Sequence, residues 1–228
     1  NAPPERQAPP QPEQLLAAGV LPPLLRLLGA WRREACTAEV TATAARALAQ
    51  LAGTDAGSSA ALDAEGADHL AEELVHCVGD AVRRCSDGGG GAGKLLAARA
   101  LCTAANNLAV APAWRATLAS AGAVEALARA ATLRRPPDEE TEAGGRPLDD
   151  RDPSRVAAVD AWSGARRAAA GGLYSLSLDP AGRHGMRELP PSVAAGLRAL
   201  AHPSSAADDV HARRFAAGAL LRCAIGDC

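Results

Sequence analysis

Aromatic residues are nearly missing from this 228-residue chain: Trp31, Trp114, Trp162, Tyr174 and Phe215 are all it has. Sheets favour aromatic and β-branched side chains, so this scarcity argues against a β-rich core. Lysine is scarcer still, Lys94 standing alone beside 23 arginines. No apolar run approaches the ~20 residues that cross a bilayer. The opening "NAPPERQAPPQPEQ" is polar and proline-rich, unlike a signal or transit peptide. No C-x-x-C pair or short metal-ligand spacing relates Cys36, Cys77, Cys85, Cys102, Cys223 and Cys228. Most of them lie in helical patterns, where a thiol acts as a small hydrophobe, so a reducing compartment is expected. A net charge of -2 speaks against a generic nucleic-acid binder, which is usually basic. The first residue is Asn1 rather than methionine, and the chain is expected to be a piece of something longer.

Alanine is what the sequence has in excess, with 57 copies. It is the best helix former, and it lets helices approach closely. The arginine bias points to a compositional pressure on the gene, so the positions of the alanines carry more weight than their number.

Two patterns alternate along the chain. The first is a short helical lead-in, a glycine, then an amphipathic helix: "LLAAGVLPPLLRLLG" (15–29), "LDAEGADHLAEELVHCVG" (62–79) and "LASAGAVEALARAATL" (118–133). A degenerate copy, "MRELPPSVAAGLRALA" (186–201), has Leu189-Pro190 at the bend. Glycine permits a sharp turn between two helices, and proline suits the first helical turn after it. The second pattern is a longer helix: "AARALAQLA" (44–52), "LCTAANNLA" (101–109), "AAGGLYSLS" (169–177) and "AAGALLRCA" (216–224). Small or aliphatic residues hold its first, second, fourth, fifth, eighth and ninth places, which marks one broad apolar helical face. Gly171, Gly172 and Gly218 each cost such a helix about 1 kcal/mol relative to alanine. Close packing by a neighbour is the expected compensation.

A short helix, a glycine bend, a second helix and a longer third helix ending A-L-x-N-L-A resemble the armadillo repeat. The resemblance implies an all-α, right-handed solenoid of about four three-helix units, at about 13–53, 58–109, 112–179 and 180–228. Residues 1–12 are then a disordered proline-rich lead-in. Two insertions stretch the units, the glycine run 87–93 and the acidic segment 134–154, both between second and third helices. Asp152-Pro153 reads as a helix start, with Asp152 as N-cap. The last helix carries Phe215, Leu220, Leu221 and Ile225 with no polar capping unit after it, so a continuing chain or a partner is expected to cover this end.

Gly88, Gly93 and Lys94 in "SDGGGGAGKLL" fit the phosphate-binding pattern G-x-x-x-x-G-K. A nucleotide loop also needs Ser or Thr after the lysine and a buried strand before the first glycine. Leu95 follows instead, and "AEELVHCVGDAVRRC" upstream has helical periodicity. A glycine linker is the expectation, with a nucleotide-binding protein using loop 88–94 as the alternative. His69, His76, His184, His202 and His211 are scattered, and "WSGA" at 162–165 lacks the glycines of a nucleophile elbow. No enzyme, metal or cofactor is expected.

The armadillo resemblance implies a concave groove lined by third helices and holding an extended peptide. Its asparagine position is occupied by Gln50, Asn107, Ser175 and Arg222, and its tryptophan position by Arg46, Thr103, Gly171 and Gly218. The loss of tryptophan speaks against recognition of nuclear-localisation signals. Asn107 is a candidate peptide contact, or else it bonds within its own repeat, and Arg222 is a second candidate partner-binding residue. Eight residues before the asparagine position stand Arg99, Arg167 and Arg214, with Ala42 in the first unit. Guanidinium forks suit carboxylates, so these arginines are either a groove rim that receives an acidic partner segment or a solvated face. The acidic insertion is either a competitor for that rim or a surface loop.

The expected function is a non-enzymatic protein-binding scaffold or structural subunit of a larger assembly, with no nucleic acid and no membrane involved. A cytoplasmic setting, cytoskeletal or axonemal (ciliary), follows from family analogy alone. The alternative within the class is a substrate-recruiting adaptor of a ubiquitin-ligase complex.

Overall fold

The structure, a computed structural model, describes residues 12–54, 67–87, 91–135, 153–202 and 209–225. Among these residues every regular element is a helix and no strand occurs: α1 (Pro12–Ala17), α2 (Leu21–Arg32), α3 (Ala38–Ala52), α4 (Ala67–Ser86), α5 (Ala92–Val110), α6 (Pro112–Ser120), α7 (Ala123–Ala131), α8 (Pro153–Leu176), α9 (Pro180–Arg187), α10 (Pro191–Ala201) and α11 (Val210–Ile225). The chain is all-α. The lead-in up to residue 11, the bend glycine Gly66, Gly88, the bulk of the acidic insertion with Asp152, and Cys228 lie outside the described residues.

The bends fall where turn chemistry puts them. Gly19 (φ 76°) and Gly122 (φ 87°) take the left-handed backbone that side chains disfavour, and each leads into the helix that follows. Pro112, Pro153, Pro180 and Pro191 each open a helix, where the missing N–H costs nothing. Thr37 caps α3 by accepting from Val40 N, and Asp179 caps α9 by accepting from Ala181 N at 2.8 Å. The helix after the glycine run starts at Ala92, so Gly93 sits in its first turn rather than in a linker.

Helices of like rank touch one another. The long helices form a row in which α3 packs on α5, α5 on α8 and α8 on α11. A second row runs α2, α4, α7, α10, and α6 packs on α9. Glycines explain how closely the long helices pack. A Cβ on Gly171 would stand 2.9 Å from Asn106 Oδ1, and one on Gly218 2.9 Å from Tyr174 Cε2. The interior between the rows is alanine and leucine, with Trp114 its largest fully buried side chain. Each fully buried leucine there contributes about 1.5–3 kcal/mol.

Two tryptophan–arginine pairs tie the second row down. Arg84 of α4 stacks on Trp31 at 4.1 Å from the ring centroid and donates to its carbonyl at 3.0 Å. Arg166 of α8, itself buried, stacks on Trp162 at 4.6 Å and donates to Ala131 O at 2.9 Å. Trp162 Nε1 donates to Leu133 O at 3.1 Å. These side chains bond carbonyls at or just past the ends of α2 and α7, that of Trp31 also accepting from Glu34 N.

Candidate functional site

The arginines expected on a groove rim sit at matching points of successive long helices, and two of the three are already engaged. Arg99 Nη1 on α5 donates to Asp160 Oδ2 on α8, and its guanidinium lies against the backbone of Gly164. Arg167 Nε on α8 donates to Asp209 Oδ2 at 3.1 Å. Arg214 on α11 is exposed and has no ion pair among the described residues. The ladder therefore works as a set of clips between neighbouring helices, and only its last rung is open.

Asp209 shows how such a clip is built. It immediately precedes α11, and its Oδ1 accepts from His211 N and Ala212 N, both at 3.0 Å, so it caps that helix. Its Oδ2 takes Ser163 Oγ at 3.0 Å and Arg167 Nε at 3.1 Å. Burial works against its charge, but the Ala212 N–H, the Ser163 hydroxyl and the Arg167 guanidinium outweigh that and hold the carboxyl below the usual aspartate range. Asp209 and Asp160 were not among the expected site residues. A cap signal was present in "DDV" before an apolar helical pattern, whereas nothing local marks Asp160.

Asn107 faces back into the structure. Its Nδ2 donates to Ala49 O at 2.7 Å, satisfying a carbonyl in the last turn of α3. Of the two roles open to it, this geometry is the internal bond, made to the preceding long helix rather than to its own unit. Arg222 lies over the Tyr174 ring at 5.1 Å and donates to its hydroxyl at 3.1 Å. Tyr174 also packs on Gly218 and stands 5.9 Å from the Phe215 ring. Tyr174, Gly218, Leu221, Arg222 and Ile225 line an open hollow of about 550 Å³ where α8 meets α11. Arg222 and Arg214 thus lie on the last long helix described, and Asn107 and Arg99, both part-exposed, lie on α5 within the row.

A larger open groove of about 1280 Å³ runs beside α4 and α7. Five arginines and three carboxylates line it, and two of the carboxylates are paired, Asp80 with Arg83 and Glu125 with Arg129.

The Gly-rich segment lacks the surroundings of a nucleotide loop. The element before it is α4, a 20-residue helix, where a phosphate loop has a strand. Lys94 lies in the first turn of α5, half-buried. A Cβ at Gly93 would meet Glu39 Oε1 at 2.9 Å, which puts a carboxylate beside the would-be phosphate cradle. Among the described residues no group of three or more His, Cys, Asp or Glu converges to hold a metal. None of their helices is long and apolar enough to cross a membrane.

Burial raises the thiol pKa values of Cys77 to about 12, Cys85 to about 11 and Cys102 to about 12. Nearby Glu73 and Asp80 add to the effect at Cys77.

No family model matches the chain, and neither does any curated protein or solved structure.

Proposed function

We propose that this protein is a four-unit, armadillo-like solenoid that acts as a non-enzymatic scaffold, holding other proteins along its row of long helices and at the end of that row. The observation that carries the reading is the unbroken row α3, α5, α8, α11 flanked by the parallel row α2, α4, α7, α10. Each long helix contacts mainly its counterparts before and after, and the second row packs against both its own neighbours and the long helices, which is how a repeat protein builds one extended binding face. Side chains at the outer positions of that face are varied and partly apolar. Arg46 on α3 and Leu178, in the turn just after α8, are exposed, and the Tyr174–Arg222 pair borders a hollow of the size that accepts a side chain or short segment. A place in a cytoskeletal or ciliary assembly is the setting that family analogy suggests.

Site-specific photo-crosslinking in native lysate tests the reading. A crosslinking residue at Arg46 or Arg222 is expected to trap a discrete protein, and one at Arg129 on the opposite row is not. Equal yields from both rows would overturn the assignment of the binding face, and saturable MgATP binding abolished by Lys94→Ala would favour the nucleotide alternative.

A further inference from the structure

Adjacent arginines occur five times in this chain, at 32–33, 83–84, 134–135, 166–167 and 213–214. Only the second pair has a hydroxyl two residues beyond it, in Arg83-Arg84-Cys85-Ser86; the others have Ala35, Pro137, Ala169 and Ala216 at that place. Two guanidiniums just ahead of a serine are what the acidic substrate cleft of an arginine-directed protein kinase reads, since their planar forks of donors fit carboxylates.

The fold separates Ser86 from the other hydroxyls that closely follow an arginine. Thr103, Thr117 and Thr132 are half-buried, and Thr132 lies against the backbone of Gly196. Ser86 is exposed and is the last residue of α4, its Oγ donating to Val82 O at 2.9 Å. A kinase takes its substrate in extended form, so the last turn of α4 has to unwind. At Arg83 that sacrifices an exposed pair with Asp80 of the same helix, which contributes little. Arg84 is the costlier of the two to free, because it stacks on Trp31.

The surroundings supply a seat for a phosphate. Ser86 lines the groove beside α4 and α7, where arginines outnumber carboxylates by two. Arg134 and Arg135, both exposed, line it from the stretch just past α7. A phosphoserine carries about -1.5 to -2 charges at pH 7, enough to cancel that surplus. The guanidiniums matter because the negative end of a helix dipole is by itself a poor place for a phosphate.

We propose that Ser86 is a phosphorylation site for an arginine-directed Ser/Thr protein kinase, and that Arg134 and Arg135 hold the phosphate across the groove. In the transfer, Ser86 Oγ forms a bond to the γ-phosphorus of MgATP as the bond from that phosphorus to the β–γ bridging oxygen breaks. ADP leaves, and the hydroxyl proton passes to the kinase's catalytic carboxylate. This site stands independently of the scaffold reading.

The test incubates the whole chain with MgATP and the catalytic subunit of cyclic-AMP-dependent protein kinase, and maps phosphopeptides over time. Ser86 is expected to fill at least tenfold faster than any other hydroxyl, and Arg83→Ala is expected to slow it at least tenfold. No incorporation at Ser86 in the folded chain, faster filling elsewhere, or a rate indifferent to Arg83→Ala would overturn the assignment. Phosphorus NMR of the product then reads the second pKa of the phosphate, about 6 in an unconstrained phosphoserine. It should lie below that value in the folded protein, and rise by about half a unit when Arg134→Ala and Arg135→Ala are combined, because opposite charge favours the dianion. High salt should raise it in the same direction in the unaltered chain. A pKa that neither the double variant nor salt moves would remove the phosphate from these arginines.

Discussion

Arg167 Nε donates to Asp209 Oδ2 at 3.1 Å, joining two helices through a carboxylate that is only 2% exposed. The same carboxylate caps α11 with its other oxygen. One side chain thereby fixes both where α11 starts and where it sits.

Replacing Asp209 by asparagine should cost about 1.5–3 kcal/mol through the loss of charge-assisted hydrogen bonds to Ser163 and Arg167, since an asparagine oxygen still caps α11. Chemical denaturation measures it, and a loss below about 0.5 kcal/mol would show the carboxylate to be dispensable.

The pH dependence follows from the depressed carboxyl. Its stabilising contribution is complete above the unfolded aspartate value of about 3.9 and is lost as pH falls through the lower folded value. Melting temperatures between pH 7 and 5 should not change on its account. Below about pH 4 the wild type should lose stability more steeply than Asp209→Asn. Parallel curves for the two proteins would contradict this.

Glycines divide into those a neighbour requires and those it does not. A Cβ at Gly182 would overlap the Leu176 carbonyl oxygen, whereas one at Gly79 meets nothing within 4 Å. Gly182→Ala should destabilise by about 3 kcal/mol or prevent folding, as overpacking against backbone does. Gly79→Ala should stabilise α4 by up to about 1 kcal/mol. Thermal melts of the pair decide it, because similar shifts of one sign would contradict the contrast.

Asn107→Ala should cost about 1 kcal/mol through the lost bond to Ala49 O. Asn107→Asp should cost more, since it sets an acceptor against that carbonyl. Hydrogen exchange over the last turn of α3 should accelerate in the same order. If instead both variants leave exchange unchanged and abolish partner crosslinking, the residue serves ligand binding.

At pH 8 the buried thiols should resist alkylation. With thiol pKa values raised to about 12, Cys77 and Cys102 should react about a thousandfold or more slowly in the folded chain than in urea. Cys85, at about 11, should come next. Peptide mapping after timed iodoacetamide treatment reads the rates, and fast labelling of Cys102 would reveal opening between α5 and its neighbours.

The helices and their bends were determined by the sequence itself. Apolar period, Gly19 and Gly122 at the turns, and prolines at helix starts act through the local backbone, so their meaning does not depend on distant residues. The positions of Arg99, Arg167 and Arg214 were equally plain, but their roles were not. Asp160 lies 61 residues beyond Arg99, and only the packing of α8 on α5 brings them together. Adjacent Arg166 and Arg167 look alike in sequence, yet one is buried on Trp162 and the other half-exposed against Asp209, because helix rotation sends neighbouring side chains in different directions. Asn107 found a backbone carbonyl, a partner that no residue letter announces. Local conformation depends on each residue and its near neighbours, so a sequence pattern can carry it. Which donor meets which acceptor depends on where whole helices come to rest, and only the tertiary structure decides that.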